Sequence, residues 1–398
     1  MPTLNLLPAT VADYRRLAEK RLPRRLFDYV DGGANDEISM AANEAALRNL
    51  RLRQRVLRDV SSIDVSTKLL GESWTMPLAL APVGLAGMMA RRAEVQAQRA
   101  AVALGIPFCA STVGICSVEE IAAASDRPFW FQLYMLRDRG AVREMLQRAR
   151  NSGVSTLVFT VDLAVVGARY RDTRNGMNGG AGLLGELRAG LLSYLAHPAW
   201  LLDVGIRGRP HVFGNLADYV PTASTPADFK DWVDSQFDPS VTWNDIEWLR
   251  SRWDGNLVIK GILDPEDAVA AARVGADAIV VSNHGGRQLD GVSATAAMLP
   301  RVVDAVGESV AVLMDGGVRG GQDVVKAVAL GARAAMIGRP WVFALAARGE
   351  QGLTAMLESF RSEIRVAMAL TGVTGLDQVT PAILDGESPG PRDREAYG

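Results

Sequence analysis

Residues 310–339 read VAVLMDGGVRGGQDVVKAVALGARAAMIGR. An apolar run, Val310–Gly316, ends in a Gly-rich turn. A helix-length stretch rich in Val and Ala follows and stops at Gly331, and a second apolar run, Ala334–Arg339, begins three residues later. Continuous rather than alternating apolarity marks strands covered on both faces, so this stretch is a strand–helix–strand unit of a parallel sheet.

The pattern extends upstream. Six further runs precede it: Pro77–Val83, Ile106–Ser111, Phe129–Tyr134, Thr156–Asp162, Asn256–Gly261 and Ala278–Asn283. Helical patterns lie between them, such as EVQAQRAAVALG, DRGAVREMLQRARNSG and PEDAVAAARVGA, several closing on the Gly that commonly ends helices. Eight such units predict an α/β fold, a (β/α)8 TIM barrel. An open doubly wound sheet would place a G-x-G-x-x-G after the first strand, and none is there. Two segments fall outside the repeat and are expected to belong to the same single barrel domain spanning 1–398. Residues 1–76 read as a helical extension, with LFDYVDGG at Leu26–Gly33. Residues 163–255 form an insertion after strand four, too long for an ordinary connection and so a lid, binding or attachment segment.

The chain has 398 residues, 48% hydrophobic, with a formal net charge of −2 and charges of both signs interspersed. That excludes a nucleic-acid footprint of clustered Lys and Arg. Cys109 and Cys116 supply neither a disulfide framework nor metal-ligand spacing, so no metal is expected and a reducing compartment is favoured. The N-terminus lacks a secretory signal pattern, and no uncharged apolar stretch is long enough to span a membrane.

In this barrel chemistry belongs at the C-terminal strand ends. The loops after strands seven and eight carry Gly316, Gly317 and Arg319, then Gly338 and Arg339, the Gly-plus-Arg chemistry of a phosphate site. Lys260 ends a buried strand and should face an anionic or electron-rich partner. Ser111, Gln132 and Thr160 can orient a heteroaromatic ring. His284 stands at a strand tip before Gly285 and Gly286, where an imidazole suits proton abstraction. Asp162 could orient it, and Arg169 with Arg287 could clamp a carboxylate. His197 and His211, within the insertion, read as structural.

SNHGGRQLDG (282–291) resembles the active-site signature of the FMN-dependent α-hydroxy-acid dehydrogenases and oxidases. The likeness continues through FDYVDGG, MPLALAPVGLAGM, WFQLY, TVDLAVVGARYRD, VIKGILDPEDA, DGGVRGGQDVVKAVALG and IGRPWVFALAARGE. Within that family the chain is most similar to bacterial membrane-associated L-lactate dehydrogenases, with mandelate dehydrogenases close behind. The resemblance implies FMN as cofactor and oxidation of an L-2-hydroxy acid, foremost L-lactate, to the 2-keto acid. His284 would be the base, paired with Asp162. Arg287 and Arg169, helped by Tyr29, would bind the carboxylate, and Tyr134 the substrate oxygen. Lys260 would lie at the flavin N1/C2 edge. Ala81, Pro82, Val83 and Gly84 would hold the ring with Ser111, Gln132 and Thr160, Asp315 the ribityl hydroxyls, and Gly317, Arg319, Gly338 and Arg339 the phosphate.

The family divides by oxidant. Gly84, where the oxidases have alanine, favours a dehydrogenase passing electrons to quinone or cytochrome over an oxidase using O2. No haem domain precedes the barrel, which sets aside a fused cytochrome. Leu183–Val204 is leucine-rich, with Tyr194 and Trp200 as candidate anchors. With the resemblance, it reads as peripheral attachment to the cytoplasmic side of the inner membrane, and a homotetramer is implied. An FMN-dependent isomerase would not need two arginines, and a non-catalytic flavoprotein would not need the His284, Asp162 and Tyr134 set. Ala86, Met135, Val165 and Val166 are the expected side-chain pocket.

Overall fold

The computed structural model describes residues 7–177, 182, 192–219 and 235–385. Its eight-stranded parallel sheet runs β1 (Leu78–Leu80), β2 (Cys109–Ser111), β3 (Phe129–Leu133), β4 (Val154–Thr160), β5 (Asn256–Ile262), β6 (Ala278–Val281), β7 (Ala311–Met314) and β8 (Ala334–Ile337). Each strand pairs with the next, and β8 returns to β1. Between β1 and β2 the Leu80 N–H donates to Pro107 O at 2.9 Å beside a parallel bridge to Phe108, which closes the barrel. All eight runs read from the sequence are strands. Six of them end short of the run read from the sequence, while Cys109–Ser111 ends with its run and Asn256–Ile262 reaches one residue further.

Side chains alternate between two cores. The outward set, including Leu80, Phe131, Phe159, Ile259 and Ile337, packs under the surrounding helices. The inward set is smaller: Ala79, Cys109, Trp130, Val158, Val258, Val280, Leu313 and Met336 share one interior cluster. Two residues beyond most of these, on the same inward face, the series turns polar: Ser111, Gln132, Thr160, Lys260, Ser282 and Asp315. Strand periodicity of two thus delivers a polar group to the upper mouth from six of the eight strands, with Ala81 and Gly338 at the corresponding positions of β1 and β8.

The N-terminal extension departs from an all-helical reading. Helices α1 (Val11–Arg21), α2 (Arg24–Asp31) and α3 (Ile38–Asn49) are present, and α1 starts on a capping box between Thr10 and Asp13. Residues Thr67–Leu69 and Glu72–Trp74, however, form an antiparallel hairpin. Leu69 and Trp74 join the interior cluster, with the Trp74 ring 5.6 Å from Trp130. Glu72 accepts from Ser155 Oγ at 2.7 Å, and Leu70 O accepts from Asn256 Nδ2 at 2.9 Å. The hairpin therefore plugs the lower end of the barrel.

The α3 helix reaches the opposite end. Asn43 and Asn283 exchange reciprocal amide bonds of 2.8 and 3.0 Å, both side chains buried, and Asn43 Oδ1 also accepts the Thr295 N–H at 3.1 Å. The last helix, α4 (Arg339–Thr371), starts directly from β8.

Candidate active site

Ser111, Lys260 and Asp315 from the polar mouth line one cavity with Tyr29, Tyr134, Arg169, His284, Arg287, Arg319 and Arg339. His284 sits there with a left-handed backbone, φ +57, a conformation His adopts more readily than most residues. Ser282 Oγ accepts its N–H at 3.1 Å. Its Nδ1 lies 2.8 Å from Asp162 Oδ1, leaving Nε2 as the ring nitrogen available to a substrate. Gly261 makes room for this pair: it bulges out of β5 at φ +108, and a Cβ there would come within 2.7 Å of the Asp162 side chain.

Burial lowers the His284 imidazole below its ordinary 6.5, and Lys260 and Arg169 add to this against the pull of Asp162. Burial alone would push the Asp162 carboxyl up, but the imidazole and Lys260 outweigh it and hold it below 3.8. The pair at neutral pH is thus a neutral imidazole on a carboxylate. For Lys260, burial works against the charge, but Asp315 Oδ2 at 3.0 Å and Asp162 keep the ammonium's pKa raised.

Arg287 and Arg169 flank the Tyr29 ring at 5.0 and 6.0 Å. Arg287 donates to the carbonyls of Tyr29 and Gly32 at 2.6 and 2.7 Å. Neither guanidinium pairs with a carboxylate among the described residues, and Arg169 Nε is buried without a partner. Burial and then the Arg169 charge bring the Arg287 pKa down to about 10. Two cations that repel each other without a salt-bridge partner among the described residues, with the buried Asp172 the nearby negative charge acting on Arg287, make a site that favours an added anion. The Tyr134 hydroxyl, pushed up by burial and then by Asp162, stays protonated.

Three buried polar atoms on the inward strand ends have no protein partner among the described residues: Gln132 Nε2, Thr160 Oγ1 and Asp315 Oδ1, the last of them in the cavity lining. Ser111 Oγ donates to Gln132 Oε1 at 3.1 Å, which fixes the amide and leaves its Nε2 without a partner. Buried polar groups are rarely left unpaired. A flat heteroaromatic ring carrying carbonyl and N–H edges, with hydroxyls toward Asp315, would satisfy all three, so the residues present fit FMN.

The loops expected to hold a phosphate also make contacts of their own. Gly316 and Gly317 have φ of +90 and +84, but the space a Cβ would take at Gly317 is filled by the Asn43 carbonyl, 2.3 Å away. These glycines seat α3. Gly338 is open, with only Val83 at 3.6 Å, and it caps α4 without a side-chain bond. Arg319 reaches the cavity while bonded to Glu44 at 2.8 Å. Arg339 spends its guanidinium on the carbonyls of Val30, Gly32 and Gly285. Burial and then Arg287 take its pKa down to about 9. Gly316, Gly317, Arg319, Gly338 and Arg339 all line the cavity; Gly338 at the α4 N-terminus and Arg319 would offer an N–H and a charge to a phosphate there, while the Arg339 guanidinium ties the loops together.

Of the expected side-chain pocket, Val166 lines the cavity. Ala86 is fully buried in the outer core, Val165 is 71% exposed, and Met135 lines a neighbouring hollow. Phe213 and Phe237, from the insertion, complete the apolar wall. Neither carries a motif, and only their aromatic character in an otherwise unpatterned segment could have drawn notice. Leu183–Leu191 of the leucine-rich stretch lie outside the described residues. Of its two candidate anchors, Trp200 is buried, stacks on Tyr194 at 5.2 Å and donates to Met88 O, so it holds the segment to the protein rather than facing outward.

Residues 18–386 match the FMN-dependent dehydrogenase family. An L-lactate dehydrogenase of Caulobacter vibrioides (strain NA1000 / CB15N) is 55% identical over 379 residues, 95% of this chain and 98% of that protein. One of Chromohalobacter salexigens is 53% identical over 92% of this chain and 93% of its own. Among solved structures, the monotopic membrane protein (S)-mandelate dehydrogenase aligns with a TM-score of 0.88 at 35% identity, covering 96% of this chain and all of that one. A mandelate oxidase aligns at 0.79 and 36%, covering 95% and 98%. With a closed barrel, a cavity fitted to FMN and this agreement along nearly its whole length, the chain belongs to the FMN-dependent dehydrogenase family.

Proposed function

We propose that this protein oxidises L-lactate to pyruvate and passes the electrons to a quinone or another respiratory acceptor. The observation that carries the reading is the convergence, in one cavity, of two guanidiniums without a salt-bridge partner among the described residues and a neutral imidazole held by a carboxylate. Arg287 and Arg169 take the substrate carboxylate, and its charge relieves their mutual repulsion. The Tyr134 O–H donates to the substrate oxygen. His284 Nε2 accepts the proton that leaves, and Asp162, on the other ring nitrogen, stabilises the imidazolium so formed. FMN, when bound, would supply the oxidising power by accepting two electrons together with the second of the two hydrogens lost by the substrate. Leu163, Val166, Phe213 and Phe237 keep water away from the reacting carbon. L-lactate is favoured over other hydroxy acids because the curated relatives above 50% identity are named for it.

Attachment to a membrane surface, on the cytoplasmic side of the inner membrane, belongs to the same proposal. No helix among the described residues is long and apolar enough to cross a membrane. The described part of the insertion does expose Leu192, Leu195, Leu202 and Ile206, and a structural neighbour is a monotopic membrane protein. A homotetramer, implied by the resemblance, is read by sedimentation.

The test is anaerobic addition of L-lactate, D-lactate and L-mandelate to the FMN-loaded protein. Fast loss of visible flavin absorbance with L-lactate and none with D-lactate is expected. No bleaching by any 2-hydroxy acid would overturn the reading. Faster turnover with O2 than with a quinone analogue would replace the acceptor. Full-length protein carrying Leu202→Asp and Ile206→Asp should lose co-flotation with vesicles of bacterial lipid; unchanged flotation would remove the attachment surface.

A further inference from the structure

The active-site cavity shares a wall with a second hollow. Tyr134, Leu163 and Phe237 line both. The hollow measures about 420 Å³, and its remaining lining is mostly apolar, including Met135, Val161, Val241, Trp243, Ile246 and Ile262. Phe237 is the part of the wall that can be removed without dismantling the site. Leu163 stands one residue from Asp162, and Tyr134 carries the hydroxyl used on the substrate. The Phe237 ring is 8% exposed and tilted against Tyr134 at 4.9 Å.

Its backbone is held independently of that ring. Residues 236–238 run antiparallel beside the segment that leaves β3. Arg137 N donates to Gln236 O at 2.9 Å, and Asp238 N to Met135 O at 3.1 Å. Asp238 also pairs with Arg139 at 2.7 Å. Truncating the ring removes the partition and leaves the chain that bears it in place.

We propose that Phe237 is a specificity-determining residue. Its ring limits the side chain of the substrate to a small group, and the hollow behind it is a latent subsite for a longer alkyl or aryl side chain of a 2-hydroxy acid. The inference rests on the hydroxy-acid reading and deepens it. An apolar lining rewards each methylene that enters by about fourfold in affinity. Three or four methylenes entering the hollow would shift selectivity by ~10²-fold.

The experiment compares wild type with Phe237→Ala, Phe237→Leu and Phe237→Trp, all FMN-loaded. Two quantities are read: kcat/KM for L-lactate against L-2-hydroxyoctanoate, and Kd for pyruvate against 2-oxooctanoate by calorimetry. Phe237→Ala should move both ratios toward the eight-carbon acid by ~10²-fold, Phe237→Leu by less, and Phe237→Trp should leave the wall closed. Ratios unmoved in both Phe237→Ala and Phe237→Leu would overturn the proposal. The leucine variant keeps an apolar filling and guards against a folding failure of the alanine one. The Kd ratio needs no turnover. Its movement supports the wall even in a protein that oxidises no hydroxy acid, and its constancy in a protein that does oxidise lactate removes the wall alone.

Discussion

Replacing Asp162 with Asn tests the central electrostatic argument. Asn can still accept the Nδ1–H of His284 at the 2.8 Å separation now occupied by Asp162 Oδ1, so ring orientation survives and the charge alone is removed. Two unit charges ~4 Å apart interact by about 4 kcal/mol at an effective dielectric near 20. A transition state in which the imidazole has gained about half its charge would lose about 2 kcal/mol. At about 1.4 kcal/mol per decade this is a ~30-fold slower reduction step, with ~10³-fold as the limit for a fully formed imidazolium. The pH profile provides a second reading. The wild-type rate should fall on the acid side with a midpoint below 6.5, because burial already depresses the imidazole. Asp162 is what raises that pKa, so its loss moves the midpoint lower still: the variant is slower on the plateau yet stays active to more acidic pH. Anaerobic stopped-flow reduction by L-lactate across pH measures both. A rate loss under about threefold, or an acid limb displaced upward, would refute the reasoning.

Arg287→Lys keeps the charge but gives up the planar guanidinium, whose one terminal nitrogen holds the Tyr29 and Gly32 carbonyls and whose others would grip a carboxylate; initial-rate kinetics should show KM for L-lactate raised roughly 10–100-fold, with kcat falling less. Asn43→Ala leaves the buried Asn283 amide and the Thr295 N–H without their partner, which should cost about 2–4 kcal/mol in denaturant unfolding. Removing FMN should lower the melting temperature, and restoring it to a hundredfold excess over its Kd should return about 2.7 kcal/mol; a melt independent of FMN would show that Gln132, Thr160 and Asp315 do not face the cofactor.

The barrel and most of the mouth were readable from sequence because both follow local periodicity. Once the eight apolar runs are recognised, alternation alone assigns Ser111, Gln132, Thr160, Lys260 and Asp315 to the inward face. What escaped depends on contacts between residues far apart in the chain. The space at Gly317 is filled by Asn43, and the Arg339 guanidinium is taken by Val30, Gly32 and Gly285. No local pattern at 316–339 carries either fact. The hairpin at 67–74 has three-residue strands, too short for a periodic signal. Phe213 and Phe237 return from an insertion whose sequence has neither helical nor strand alternation, so their place in the wall needed the folded chain.

The hairpin that stops the lower end of the barrel also constrains kinetics. Trp74 and Leu69 fill the bottom, so the hydroxy acid and the final oxidant approach from the same side. If the acceptor is bulky, pyruvate must vacate before it comes close, and among the described residues the two partners would take turns at the upper mouth. Initial rates at several fixed oxidant concentrations should give parallel double-reciprocal lines, and high lactate should compete with the oxidant for the reduced enzyme.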